Sequence, residues 1–190
     1  MTRLTLPLDK VAARRVVRTA RRARRAASSD GQWAELAGNL ATGLLAWLTD
    51  RPLPGVVALY ESLRTEPPTS GVRDALNSLG VQLLVPILLD DNDLSWRDLA
   101  TGTDLGVDAI ASVDLVITPG LAVARTSGLR LGQGGGSYDR ALARARRQTP
   151  VLTMLFDDEL VEGVPAEPHD RPVHAVLTPA GGVTAVGRAV

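Results

Sequence analysis

The chain has 190 residues, 45% of them hydrophobic, with 21 basic groups against 21 acidic ones, which is enough apolar material for a sizeable core. It contains no cysteine, which excludes disulfides, thiolate nucleophiles and zinc sites built on Cys. No apolar run approaches the roughly 18 residues of a membrane-spanning helix, and the start MTRLTLPLDK lacks the apolar stretch of a secretory signal. The expectation is a cytoplasmic protein with no membrane partner, a single domain over residues 1–190, and a monomer.

The zero net charge conceals a segregation. Residues 1–25 carry nine basic groups against Asp9, a net of +8, so the remainder carries −8. Lys10, Arg14, Arg15, Arg18, Arg21, Arg22, Arg24 and Arg25 share a helical stretch with Val11, Val16, Val17, Ala20 and Ala23, one small apolar stripe in a basic surround. Two readings stand: a solvated face whose arginines pair with the acidic remainder, or a surface for a polyanion. Asp30 reads as the N-cap of a second helix with Trp33, Leu36, Ala37, Leu40, Leu44, Trp47 and Leu48 at helical spacing, stopped by Arg51-Pro-Leu-Pro-Gly55. Both tryptophans sit at core spacing and are assigned to packing.

Residues 56–60 read as a buried strand. A Pro-rich loop at Glu66-Pro67-Pro68-Thr69 leads to a short helix ending at Gly80, and residues 81–85 form a second strand. Residues 90–108 are polar and weakly patterned, a surface loop anchored by Trp96. Residues 114–118, 151–156 and 173–178 supply further strands, with a closing hairpin through Gly181-Gly182 into 183–186. Strands alternating with helices predict an α/β three-layer sandwich, with a mixed, largely parallel central sheet and helices on both faces.

The chemistry concentrates where strand 114–118 is followed by Leu129-Arg-Leu-Gly-Gln-Gly-Gly-Gly-Ser-Tyr-Asp-Arg140 and then a helix over 141–147. Strand, glycine bend and helix in that order deliver backbone N–H groups and a positive helix end to the carboxyl edge of a sheet, where phosphates bind. Gly132, Gly134, Gly135 and Gly136 allow close approach and positive φ. Ser137 can cap the helix, and Arg130 and Arg140 flank the bend with charge. A Walker A loop would need Gly-Lys-Ser/Thr, and a dinucleotide fingerprint from Gly132 would need glycine at Ser137; neither fits. The bland alternative is a turn rich in glycine for geometry alone.

Thr118-Pro-Gly-Leu-Ala-Val123 followed by Gly128-Leu-Arg-Leu-Gly-Gln-Gly-Gly-Gly-Ser-Tyr-Asp-Arg140 resembles the signature of the 5-formyltetrahydrofolate cyclo-ligase (5,10-methenyltetrahydrofolate synthetase) family. Lys10 with Arg14 look like that family's basic pair, Glu66 with Thr69 like its substrate loop, and Val164-Pro-Ala-Glu-Pro-His-Asp170 like its C-terminal end. The resemblance implies ATP- and Mg²⁺-dependent closure of 5-formyltetrahydrofolate to 5,10-methenyltetrahydrofolate, with release of ADP and phosphate. It implies an ATP site of Lys10, Arg14, Arg130, Leu131, Gly132, Gln133, Gly134, Gly135, Gly136, Ser137, Tyr138 and Arg140. Glu66, Trp96, Gln133, Gly134 and Tyr138 would contact the folate substrate, Asp139 and Asp170 would hold Mg²⁺, and Arg130, Tyr138 and Asp139 would serve catalysis. Phosphoryl transfer needs positioning and charge neutralisation more than a protein nucleophile, which suits a chain with no cysteine and two histidines. His169 and His174 are read as structural, and Arg144, Arg146 and Arg147 as a solvated helix face.

Three departures from the family pattern stand out: no aspartate beside Ala124-Arg125, Gln133 where the family often has Arg or Lys, and a shortened segment over 96–114. Arg125 is a candidate replacement for the cation missing at Gln133. These departures keep a second reading, a silent paralogue that binds ATP or folate in a regulatory role. Nucleic-acid binding by the arginine-rich helix ranks well behind, because six aromatic residues offer no base-stacking platform. A sugar-phosphate isomerase of similar sheet architecture is a fourth reading.

Overall fold

A computed structural model describes residues 3–167 and 170–187. The basic stretch forms α1 (Lys10–Ala27), whose first turn is capped by Asp9, Oδ1 accepting from the Ala12 N–H at 2.7 Å. Helix α2 (Asp30–Leu48) starts one residue earlier than the sequence suggests. Ser29 is its N-cap in a reciprocal capping box with Gln32, while Asp30 opens the first turn and pairs with Arg25 at 2.6 Å. Serine and Gln32 satisfy two orphan N–H groups at once, which a lone aspartate does not.

The main sheet contains β1 (Val56–Leu59), β2 (Gln82–Leu88), β3 (Leu94–Asp98), β4 (Leu115–Pro119), β7 (Val151–Met154), β9 (Ala175–Thr178) and β10 (Gly182–Ala185), in the order β10-β9-β7-β4-β1-β2-β3. Its five inner strands are parallel and both edges, β3 and β10, run antiparallel. The expected mixed, largely parallel sheet is present, with alternate residues serving opposite faces. Val57, Leu59, Leu115, Ile117, Leu152 and Leu177 meet Leu40, Leu44 and Leu48 of α2 and Val72 and Leu76 of α3 (Ser70–Ser78). Ala58, Val116, Val151 and Val176 face the other way, toward Ile110 and toward Ala141 and Leu142 of α4 (Ser137–Arg144).

Three local expectations change. Residues 94–98 are an edge strand paired with β2, and Trp96 is fully buried; Leu94 and Trp96 give the strand one apolar face in the core although the surrounding residues are polar. The segment after β3 turns through a 3-10 helix, Val107–Ser112, and buries Ile110 and Val113. Helix α4 begins earlier, at Ser137, behind a left-handed Gly136 (φ 68°), and Ser137 makes no side-chain cap; the glycine conformation turns the chain into the helix instead.

A second sheet of β5 (Ala122–Ala124), β6 (Arg130–Leu131) and β8 (Leu160–Val161) has the order β6-β5-β8. Ala13 and Val17 of α1 pack on its Leu121, Ala122, Leu131 and Val161. The rest of α1 is held by charge: Arg21 to Glu159, Arg24 to Asp158 and Lys10 to Asp170. Arginines pairing with the acidic remainder therefore describe much of this helix, leaving Arg15, Arg18 and Arg22 exposed. Among the described residues no helix is long and apolar enough to cross a membrane.

Candidate active-site cleft

In sequence, β1 is followed by β2 on one side and by β4 on the other, so the strand order reverses between β1 and β4. Ligands of open α/β sheets bind beyond the carboxyl ends of strands at such a switch point. A cleft of about 480 Å³ lies there. Tyr60 and Glu61 leave the end of β1, Pro119 ends β4, and Pro86 and Leu88 come from the end of β2. The glycine bend closes the cleft and α1 contributes Lys10 and Arg14.

Lys10, Arg14, Glu66, Arg130, Leu131, Gly132, Gln133, Gly134, Gly135, Gly136, Ser137, Tyr138, Asp139 and Asp170 all line this one cleft, although positions 10 and 170 are 160 residues apart. Arg14 Nε donates to the Gly132 carbonyl at 2.9 Å. Gly134 adopts φ 115° and brings its bare Cα close to the same guanidinium, where an added Cβ would lie 3.4 Å from Arg14 Cζ; a side chain there would be strained and would crowd the cation. Arg130 is 7% exposed; Nη1 donates to the Pro119 carbonyl at 3.2 Å and Nη2 to Asp139 Oδ1 at 3.1 Å, while Nε is buried without a partner among the described residues.

Lys10 Nζ pairs with Asp170 at 2.8 Å and Glu167 at 3.1 Å. Burial alone would lower its pKa, but these two carboxylates outweigh it and hold the ammonium above its ordinary value. Glu66, 5% exposed, accepts from the Leu63 N–H at 2.9 Å and from Gln133 Nε2 at 3.0 Å. Tyr138 lies under Arg130, 5.8 Å from ring centre to guanidinium carbon, with its hydroxyl buried and unpartnered among the described residues. Burial pushes that hydroxyl's pKa up, against the opposing pull of Arg130, so Tyr138 stays a neutral donor at any physiological pH. Tyr60 is raised well above its ordinary value, again by burial first and then by Glu66.

Trp96 and Arg140 stand apart from the expected site. Trp96 meets Tyr138 edge-on at 6.4 Å and belongs to the core behind the cleft, not to its wall. Arg140 donates to the carbonyls of Gly135 at 2.9 Å and Asn92 at 2.7 Å, so it ties the bend to the β2–β3 hairpin. Arg144 binds Asp93 of the same hairpin, and Arg146 binds Asp114 just before β4, in place of a free solvated face. His174 accepts from the Val151 N–H at 2.9 Å, a structural role; His169 lies outside the described residues.

Of the three departures, the one beside Ala124 falls inside the second sheet, where Ala124 is 2% exposed. Arg125 is not in the cleft wall and does not replace a cation at Gln133. Arg18 reaches that spot, donating to the Gln133 side-chain and main-chain oxygens at 2.8 and 3.0 Å. The sequence reading also missed Tyr60, Glu61, Leu63, Pro86, Leu88, Leu94, Pro119 and Glu167. Tyr60, at the end of the first parallel strand, is within reach of the switch-point rule; the β2–β3 wall is not, because the sequence over 90–108 is polar and weakly patterned.

Among the described residues no three His, Cys, Asp or Glu side chains are grouped to hold a metal by themselves. Lys10, Arg14 and Arg130 share the cleft lining with Glu61, Glu66, Asp139, Glu167 and Asp170, Lys10 paired with Glu167 and Asp170 and Arg130 with Asp139. A phosphate chain entering this lining would meet more carboxylates than cations, and a hard divalent ion held there would supply the compensating positive charge. The donor set fits Mg²⁺ held by one or two carboxylates and completed by ligand oxygens and water.

The sequence profile of the 5-formyltetrahydrofolate cyclo-ligase family matches residues 10–179. A 5-formyltetrahydrofolate cyclo-ligase of Mycolicibacterium smegmatis is 34% identical over 166 residues, covering 77% of this chain and 85% of that protein. The enzyme of that name from Escherichia coli K12 is 41% identical over 71 residues, 37% of this chain and 38% of that one. Among solved structures, a 5,10-methenyltetrahydrofolate synthetase from Mycoplasma pneumoniae superposes with a TM-score of 0.70 at 22% identity, over 86% of this chain and 96% of that one. One from Aquifex aeolicus gives 0.65 at 22% identity, over 93% and 95%. At that identity these two structures establish the shared fold.

Proposed function

Because this chain belongs to the 5-formyltetrahydrofolate cyclo-ligase family, and is therefore a ligase, we propose that its cleft closes 5-formyltetrahydrofolate to 5,10-methenyltetrahydrofolate with ATP, releasing ADP and phosphate. The observation that carries the reading is the meeting of Lys10, Arg14 and Arg130 with the glycine bend in one cleft at the sheet's switch point.

A formamide carbonyl is stabilised by resonance and its oxygen is a poor leaving group. The formyl oxygen attacks the γ-phosphorus, the bond to ADP breaks, and the oxygen becomes a phosphate ester. N10 then attacks the formyl carbon, the carbon–oxygen bond breaks with phosphate leaving, and the N10 proton is lost. Both steps need aligned reactants and compensated charge more than a protein nucleophile.

The cations have separate supports for this work. Arg14 is held by the bend's own carbonyl and Arg130 by Pro119 and Asp139, so both are fixed before nucleotide arrives. Asp139 and Asp170 are the carboxylates that would hold Mg²⁺, which would supply positive charge against the phosphate oxygens. Glu66, fixed by two hydrogen bonds, orients the folate. Tyr60, Leu63, Pro86, Leu88 and Leu94 give the opposite side an apolar character suited to an aromatic ring system.

Mixing the protein with Mg-ATP and 5-formyltetrahydrofolate should produce the near-ultraviolet absorbance of the methenyl product. A flat trace with folded protein overturns the reading.

A further inference from the structure

Arg21 is 2% exposed, two helical turns along α1 from Arg14, and so on the same side of the helix. Its Nε and Nη2 grip the two carboxylate oxygens of Glu159 at 2.7 and 2.8 Å, and Nη2 also donates to the Gly120 carbonyl at 2.5 Å. Glu159 is fully buried and accepts in addition from the Phe156 N–H at 2.9 Å. One guanidinium thus touches the turn after β4 and the turn after β7, the two places where the main sheet hands over to the second one.

Gly120 is itself built into the cleft rim. The preceding carbonyl, of Pro119, receives Arg130 Nη1. A Cβ on Gly120 would lie 3.3 Å from Arg130 Cγ and 2.5 Å from Thr153 Cγ2, so this peptide fits closely between them. The apolar hold on α1 is small, Ala13 and Val17 being its buried hydrophobic side chains. A buried ion pair of this kind contributes little to net stability compared with apolar residues of the same volume, so its value must be sought in geometry.

We propose that Arg21 is a positioning residue that sets α1, with Lys10 and Arg14, in register with the Pro119–Gly120 rim that carries Arg130. It holds the two halves of the phosphate cradle at a fixed separation without touching the ligand. The inference rests on the nucleotide reading of the cleft. Lysine cannot substitute, because a single ammonium does not reproduce a fork that serves Glu159 and Gly120 together.

The test uses the full chain with Arg21→Lys, and the paired change Arg21→Met with Glu159→Met, which removes both buried charges at once. Melting temperature, KM for Mg-ATP and KM for 5-formyltetrahydrofolate are measured. Both variants are expected to stay folded at assay temperature and to raise KM for Mg-ATP at least ten-fold, with KM for the folate moving less than two-fold. If the paired variant does not fold, Arg21→Lys alone is decisive by the same readout. Unchanged KM values, or equal rises in both, overturn the positioning role. A wild-type protein that binds no Mg-ATP overturns the nucleotide reading beneath it, and is recognised before any variant is made.

Discussion

Arg130 and Asp139 face each other across the start of α4, guanidinium Nη2 to carboxylate Oδ1 at 3.1 Å, with the arginine side chain 4% and the aspartate side chain 22% exposed. The pair holds Arg130 beside the bend, with the aspartate the more exposed of the two.

Asp139→Asn keeps the shape and removes the charge. We expect kcat/KM to fall at least a hundred-fold, about 2.7 kcal/mol of transition-state stabilisation. The melting temperature should hold within a few degrees, since Arg130 retains the Pro119 carbonyl. Unchanged steady-state kinetics would remove Asp139 from the chemistry.

Glu66 accepts from two N–H groups, Leu63 on one oxygen and Gln133 on the other. Glu66→Gln sets an amide NH₂ against one of these donors, a mismatch costing about 1–3 kcal/mol at a buried site. The expected result is a KM for 5-formyltetrahydrofolate raised ten-fold or more, with KM for Mg-ATP little altered. Initial-rate measurements with each substrate varied in turn check this.

Gly71 sits where α3 crosses α2, and a Cβ there would lie 2.2 Å from the Ala37 carbonyl oxygen. Backbone cannot swing aside as a side chain does, so Gly71→Ala should destabilise the fold by about 1–3 kcal/mol. Gly38, in the middle of α2, has nothing within 4 Å of its hypothetical Cβ; Gly38→Ala should stabilise by about 0.5–1 kcal/mol. Denaturant melts of the two variants should move in opposite directions.

Asp114 accepts from the Val56 and Gly55 N–H groups and pairs with Arg146. The Val56 hydrogen bond is the largest influence holding its carboxyl below the usual range; Asp98, through Gln82, and Asp104, through Ser95, are lowered too. Their folded pKa values lie below the unfolded ones, so the unfolded chain binds more protons in acid. This contribution to stability is complete above the unfolded aspartate value of about 3.9 and is lost as pH falls through the folded values. Thermal melts between pH 7 and pH 3 should show the decline at the acid end, and Asp114→Asn should flatten part of it.

Much of this was legible in the sequence because it depends on local order. Short continuous apolar runs, as expected of strands covered on both faces, and a 3.6 period over 30–48 reported the parallel sheet and its covering helix. The glycine bend between a strand and a helix marked one wall of the cleft, since close approach and positive φ are properties of those residues themselves. A basic stretch paired with an acidic remainder was also readable as charge, although not which arginine meets which carboxylate. Position 94–98 was misread because an edge strand with alternating polar residues carries little apolar signal, and Trp96 alone does not reveal the direction it faces.

What tertiary structure alone decided is the company each charge keeps. Arg14, Arg18, Arg21 and Arg24 are equivalent in sequence, yet one binds the bend's carbonyl, one braces Gln133, one is buried on Glu159 and one lies over the Phe156 ring at 4.2 Å. Spaced three or four residues apart, they line one side of α1, and the 1.5 Å rise per residue carries each to a different stretch of surroundings drawn from segments more than a hundred residues away. Composition and spacing supplied the cations; the packing of α1 on the second sheet beside the glycine bend selected which of them faces the cleft.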